Sequence, residues 1–189
     1  MGLLQFIGRT RQFEERMTES RPRLWRLAHS WCRNRALADD LVQDALAKGL
    51  KNHGQLRDEQ SLHAWLCGIL ANCWHDHLRS HRDMDDVTEI DEFHLVSDGT
   101  PESECLQSEV VRRVRQAVAS LPVAQREVVT LVDLEEFSYA EVAAILEVPL
   151  GTVMSRLSRA RGTLKESLRE HNECGAACGS PSPRIARVK

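Results

Sequence analysis

Four side chains near the end of this chain, Thr152, Ser155, Arg156 and Arg159, have the types and the spacing needed to touch a nucleic acid. Residues at i, i+3, i+4 and i+7 share one face of a helix. Hydroxyls can donate to or accept from base edges, and guanidinium forks match both guanine edges and phosphates. From Leu150 to Lys165 the chain carries Arg156, Arg159, Arg161 and Lys165 and no acid. The opposite row, Leu150, Val153, Leu157, Ala160 and Leu164, is apolar at helical spacing and predicts a buried face. A basic solvated helix is the plain alternative for any such segment taken alone.

What favours DNA is the element just before it. Ser138 followed three residues later by Glu141 is a capping box, which predicts a helix start with Tyr139, Val142, Ala143 and Leu146 as its buried stripe. Pro149 ends that helix and opens the next at about Leu150, so the two form a helix-turn-helix. The second helix of such a pair lies in the major groove with its N-terminal residues on the bases.

A second set of chemically capable residues, His171, Cys174 and Cys178, lies near the C-terminus with spacings of two and three residues. These are ligand types for a metal or a thiol sensor, with Cys105 as a further candidate. The alternative is a solvated tail, since the sequence after Glu170 is rich in Gly, Ser and Pro and is expected to be disordered. Cys32, Cys67 and Cys73 are more simply read as small core hydrophobes.

Few aromatics, few glycines and no alternating apolar pattern predict an all-α fold. The net charge of -3 over 189 residues looks wrong for a DNA binder until it is mapped. Residues 83–105 hold nine acids and no Lys or Arg, so the remainder carries -3 + 9 = +6. Basic modules joined by an acidic linker follow. No run approaches the roughly 18 apolar residues of a membrane span, and Met1 to Arg11 lacks the apolar core of a secretory signal, which predicts a cytoplasmic protein without membrane insertion.

Taken in order, a polar segment reaches about Ser20, and Pro22 stands as a first-turn proline ahead of the stripe Leu24, Leu27, Ala28 and Trp31. Asn34 is placed to cap a helix of about Arg35 to Lys51, with Leu37, Leu41, Val42, Ala45 and Leu46 inward and Asp40, Gln43 and Asp44 outward. Acids there also offset the helix dipole. Ser61 is placed to cap a long helix to about Arg82. After the acidic stretch, Val110, Val111, Val114 and Val118 mark a helix, and Leu121-Pro122 starts another through Val128, Leu131 and Leu134.

The run SLHAWLCGILANCWHDHLRSHR resembles the promoter-melting helix of the extracytoplasmic-function (ECF) group of sigma-70 factors. ADDLVQDAL at Ala38 to Leu46 resembles that group's polymerase-binding helix, and LPVAQREVVTL with FSYAEVAAILEVPLGTVMSRLSRAR resembles its domain for the -35 element. The match covers roughly residues 20 to 168, with three motifs in the family's order. It implies a sigma-2-like helical bundle (20–82) after an N-terminal segment (1–19), a flexible acidic linker (83–105), a sigma-4-like helix-turn-helix domain (106–172) and a tail (173–189).

The resemblance also implies roles. Asp40, Gln43 and Asp44 are implied to dock on core RNA polymerase, the 52–60 loop to capture a flipped -10 base, and Asn72, Arg79 and Arg82 to lie along the melting surface. Thr152, Ser155, Arg156, Arg159 and Arg161 are implied to read the -35 element of promoter DNA. An anti-sigma partner follows by analogy, and no cofactor and no enzyme residues are implied. Two other classes stand beside this one: a free-standing helix-turn-helix regulator, and a sigma-like metal- or thiol-responsive switch. The linker of 23 residues reaches at most about 75 Å, enough for two domains on elements about two helical turns apart. Departures from the family pattern fall at Gly68, Ala71, Glu136, Glu147 and Met154. Glu147 stands where the turn wants a left-handed residue, at a cost of about 1 kcal/mol.

Overall fold

The computed structural model describes residues 3–56, 58, 61–81 and 101–176, with side chains for 13–56, 58, 61–81 and 110–169 of these. Every regular element among them is helical. The first module consists of α1 (Leu3–Cys32), α2 (Arg35–Lys51), a 3₁₀ turn (His53–Gln55) and α3 (Leu62–His81). The second consists of α4 (Pro101–Ala119), α5 (Val123–Val129), a π-helical turn (Thr130–Leu134), α6 (Tyr139–Ile145) and α7 (Leu150–Ala176).

In the first module α1 runs unbroken through Pro22, which is not the helix start that the sequence predicted. Pro22 has no N–H for the Thr18 carbonyl, but it lies on the exposed side, where water can take that acceptor. Leu24, Leu27, Ala28 and Trp31 on the other side are almost wholly buried, and this apolar contact holds the helix together across the defect. Asn34 caps α2 as expected, its side chain accepting from the Leu37 amide at 3.0 Å. Ser61 behaves differently, its hydroxyl donating to the Asp58 carbonyl at 2.7 Å instead of accepting from the first turn of α3. Leu66, Cys67, Leu70 and Ala71 of α3 close the core against Leu41, Val42 and Ala45 of α2. At Gly49 a Cβ would stand 3.0 Å from both Leu66 Cδ2 and Met17 Cε, so the three helices meet there as closely as glycine permits.

The second module begins within the stretch read as linker, since α4 starts at Pro101. Val110, Val111 and Val114 lie on its exposed side, and α4 packs through Ala117 and Val118. The capping box forms: Ser138 Oγ accepts from the Glu141 amide at 3.3 Å while Glu141 Oε2 accepts from the Ser138 amide at 2.8 Å. Glu147, at φ 53°, makes the left-handed turn after α6, and Val148 N–H closes on the Ala143 carbonyl at 3.0 Å. Glu136, at φ 60°, makes a second left-handed turn before α6. Val153, Leu157 and Ala160 face inward as the periodicity predicts.

Tyr139 and Leu150, expected inside, are 37% and 49% exposed. Each is the first residue of its helix. A helical side chain leans toward the preceding turn, and a first residue has none beneath it to pack on.

Candidate nucleic-acid interface

The first half of α7 presents Thr152, Ser155, Arg156 and Arg159 on one face, with Thr152, Ser155 and Arg156 half-buried and Arg159 exposed. Ser155 donates to the Thr152 carbonyl at 3.1 Å, which leaves its oxygen free to accept. Arg161 does not join them. Its guanidinium is bound by the Asp133 carboxylate of the π turn, and that bond raises its pKa. Met154 is 52% exposed on the adjoining row, where no base contact is expected of it.

On α3, Asn72 and Arg79 are exposed. Arg79 pairs with Asp76 one turn back, and Lys48 of α2 comes within 3.9 Å of the same carboxylate. Arg82 lies outside the described residues, as do 57, 59 and 60 of the expected base-capturing loop. The ring of His77 stacks on Trp74 and His81, and burial, followed by the nearby charge of His81, lowers its pKa. Asp40, Gln43 and Asp44 line the exposed side of α2. The structure therefore brings together Thr152, Ser155, Arg156 and Arg159 on α7, without Arg161; Asp40, Gln43 and Asp44 on α2; and the pair Asn72 and Arg79 on α3, each set on its own helix.

The cysteine candidates divide. Burial pushes the thiols of Cys67, Cys73 and Cys32 upward, so these sulfurs stay protonated and fill space as expected. The side chains of His171 and Cys174 and the whole of Cys178 lie outside the described residues. Among the described residues no group of three His, Cys, Asp or Glu side chains is placed to hold a metal.

Sequence reading missed the contact between the modules. Glu127, Thr130 and Glu135, on α5 and the turn after it, are the buried polar side chains of the described protein. Each meets the first module. His75 Nε2 of α3 stands 3.0 Å from Glu127 Oε1, and Trp31 Nε1 of α1 donates to Thr130 Oγ1 at 2.8 Å. Glu135 Oε2 is shared by Arg23 Nη2 of α1 at 2.9 Å and His63 Nε2 of α3 at 2.8 Å. Arg126 adds a bond to the Trp31 carbonyl at 2.6 Å, and the His63 ring stacks on Phe137. The only hint in the sequence was polar residues interrupting apolar stripes, as Glu127 does beside Val128 and Val129, and such interruptions name no partner.

Comparison with known proteins agrees with the two modules. Residues 17–84 match the sigma-70 region 2 family, and residues 112–164 match the sigma-70 region 4 family. The RNA polymerase sigma-H factor of Pseudomonas aeruginosa is 35% identical over 140 residues, 69% of this chain and 72% of that one. The ECF RNA polymerase sigma factor SigM of Mycobacterium tuberculosis is 33% identical over 156 residues, 82% of this chain and 76% of that one. Among solved structures, the sigma factor RpoE from Bartonella quintana, in complex with the anti-sigma factor NepR, is 30% identical with a TM-score of 0.70, covering 84% of this chain and 97% of that one. A helix-turn-helix with a basic face, a helical bundle with an acidic one, and these relatives together place the chain in the extracytoplasmic-function group of the sigma-70 family of RNA polymerase sigma factors.

Proposed function

We propose that this chain selects promoters for core RNA polymerase in the cytoplasm by dividing the task between its modules. Residues 20–82 carry the polymerase contact on Asp40, Gln43 and Asp44 and the -10 contact on Asn72, Arg79 and Arg82. Residues 106–172 carry the -35 contact on Thr152, Ser155, Arg156 and Arg159, with Arg161 released from Asp133 to reach a phosphate. Residues 82–100 lie between the two modules, whose outer helices α1 and α7 reach back to Leu3 and on to Ala176. The polymerase performs the phosphoryl transfer, and this chain decides where it begins. The observation that carries the reading is the pairing of an exposed acidic face on α2 with an exposed, acid-free face on α7 in one chain. A free-standing regulator would need the second and not the first. An anti-sigma partner is proposed by likeness to the Bartonella quintana protein, which is in complex with one.

Run-off transcription with purified core polymerase tests this, with promoter-specific transcripts expected only when the chain is added. Asp40→Ala with Asp44→Ala is expected to keep the helical fold, because both side chains are exposed, and to weaken capture of core polymerase in a pull-down. Undiminished capture would remove the α2 face from the proposal. Operator binding of equal strength with and without polymerase, and no transcript, would favour the free-standing regulator.

A further inference from the structure

The inner row of α3 changes character where the helix leaves the bundle. Leu70, Trp74, His77 and His81 fall at i, i+4, i+7 and i+11 and share one face. Leu70 and Trp74 are buried, His77 is half-buried and His81 is exposed, so the row passes from core to water over its last turn. Asn72, Asp76 and Arg79 lie on the opposite side of the helix, with Arg79 held by Asp76. The histidine pair is thus separate from the charged row of α3, and also from the pairs that His63 and His75 make with Glu135 and Glu127.

Two histidines four positions apart on a helix have the spacing that brings two imidazoles to one metal ion. Here the rings already lie side by side, with centres 4.0 Å apart and planes 28° from parallel. Nitrogens bound to one ion at about 2.0 to 2.1 Å stand about 3.3 Å apart at a tetrahedral angle. Rings this close reach that separation by turning about their side-chain bonds. The hydrogen bonds choose the tautomer. His81 Nδ1 lies 3.0 Å from the His77 carbonyl, and a carbonyl only accepts, so Nδ1 carries the proton and Nε2 keeps its lone pair. Ser80 Oγ, 3.0 Å from the same Nδ1, gives its own proton to that carbonyl and can only accept as well. Metal-ligating histidines are anchored in this way, by their second nitrogen on a backbone carbonyl. The His77 ring is held by stacking on Trp74 and His81, with no hydrogen bond to it among the described residues. The carbonyl end of α3, which closes at His81, also favours positive charge.

We propose that His77 and His81 form a two-histidine site for a divalent first-row transition-metal ion at the C-terminal end of α3. An imidazole pair suits Zn2+, Ni2+ or Cu2+ and not the oxygen-seeking Mg2+ or Ca2+. The remaining positions on the ion are left to water. By bridging the last turn, the ion fixes the end of the helix that carries Arg79. The site is distinct from His171, Cys174 and Cys178, and the inference stands apart from the promoter reading.

The test is a titration of the full-length protein with Ni2+, which does not oxidise free thiols as Cu2+ does, followed by calorimetry and by tryptophan fluorescence. Trp74 stacks on His77 with ring centres 5.8 Å apart, so an ion held by the pair is expected to quench its emission. His77→Gln and His81→Gln are each expected to keep the parent's helical circular dichroism, since both side chains reach water, and to weaken Ni2+ binding and the quenching roughly tenfold or more. Cys174→Ser with Cys178→Ser is expected to leave the quenching midpoint unchanged, and Mg2+ is expected to quench nothing. A parent that binds no Ni2+, equal affinity and quenching in the parent and both histidine variants, or loss of the quenching with the two cysteines would overturn the site. Quenching by Mg2+ equal to that by Ni2+ would overturn the choice of ion. Neither readout involves polymerase or DNA, so failure of the metal site and failure of the promoter reading are seen separately.

Discussion

Arg156 and Met154 stand two positions apart on α7, yet they should act on DNA in different ways. Arg156 lies on the row with Thr152, Ser155 and Arg159, and Met154 is exposed beside that row. Arg156→Ala is expected to cost about 1 to 3 kcal/mol and to relax preference at one or two base pairs, as loss of a base-edge contact does. Met154→Lys is expected to tighten binding to all sequences and to steepen the salt slope of log K by about 1, as one added phosphate contact does. Titrations on a -35 duplex and a scrambled one at several salt concentrations distinguish the two. A uniform loss from Arg156→Ala with no change in slope from Met154→Lys would mean that α7 is turned differently in the groove. A separate residue-level cost sits at Glu136 and Glu147, both at positive φ, where glycine is unstrained. Each replacement by Gly is expected to stabilise the protein by about 0.5 to 1 kcal/mol in urea unfolding. A loss of stability would show that these side chains make contacts worth more than the strain.

Helices were recoverable from the sequence wherever a local signal fixed them. The capping box at Ser138, Asn34 before α2 and Pro149 before α7 act within one turn of the chain, and the structure keeps all three. Pro22 was misread for the same reason. Its local preference for a helix start is overruled by burial of Leu24, Leu27 and Trp31, which depends on α2 and α3. Because Pro22 is exposed and interrupts a continuous helix, Pro22→Ala is expected to stabilise the protein by about 1 to 2 kcal/mol. Chemical denaturation measures it. No gain would mean that the missing hydrogen bond is already offset by a bend in α1 or by the stiffer unfolded chain. The shared face of Thr152, Ser155, Arg156 and Arg159 on α7 was equally recoverable, since it needs only helical spacing. The ion pair of Arg161 with Asp133 was not, because its partner lies 28 residues away on a turn that periodicity does not reveal.

Docking of the modules depends on pairs separated by 52 to 112 positions in the chain, and it carries a pH dependence that can be worked out from the groups involved. His75 faces Glu127 of α5, Arg156 of α7 and Arg79 of its own helix. The hydrogen bond to Glu127 raises its pKa above the ordinary 6.5, with burial opposing. Docking therefore favours the protonated ring: this contribution is fully present below about 6.5 and is lost as pH rises through the docked value. Glu135 faces Arg23 of α1, with His63 and Cys67 on α3. Burial alone would raise its pKa, but the His63 bond and the Arg23 charge outweigh burial and hold the carboxyl below 4.5. Its contribution is present above about 4.5 and is lost as pH falls through the docked value. The two together put the firmest docking between about pH 4.5 and 6.5 and loosen it toward alkaline pH. Scattering of the full-length protein from about pH 5.5 to pH 8.5 is expected to show a rising radius of gyration and a parallel gain in polymerase-independent DNA binding. Glu127→Gln, which removes the charge that raises the His75 pKa, is expected to flatten that rise. A radius that is constant across the range, or one that falls toward alkaline pH, would show that His75 and Glu127 do not govern how the two modules separate.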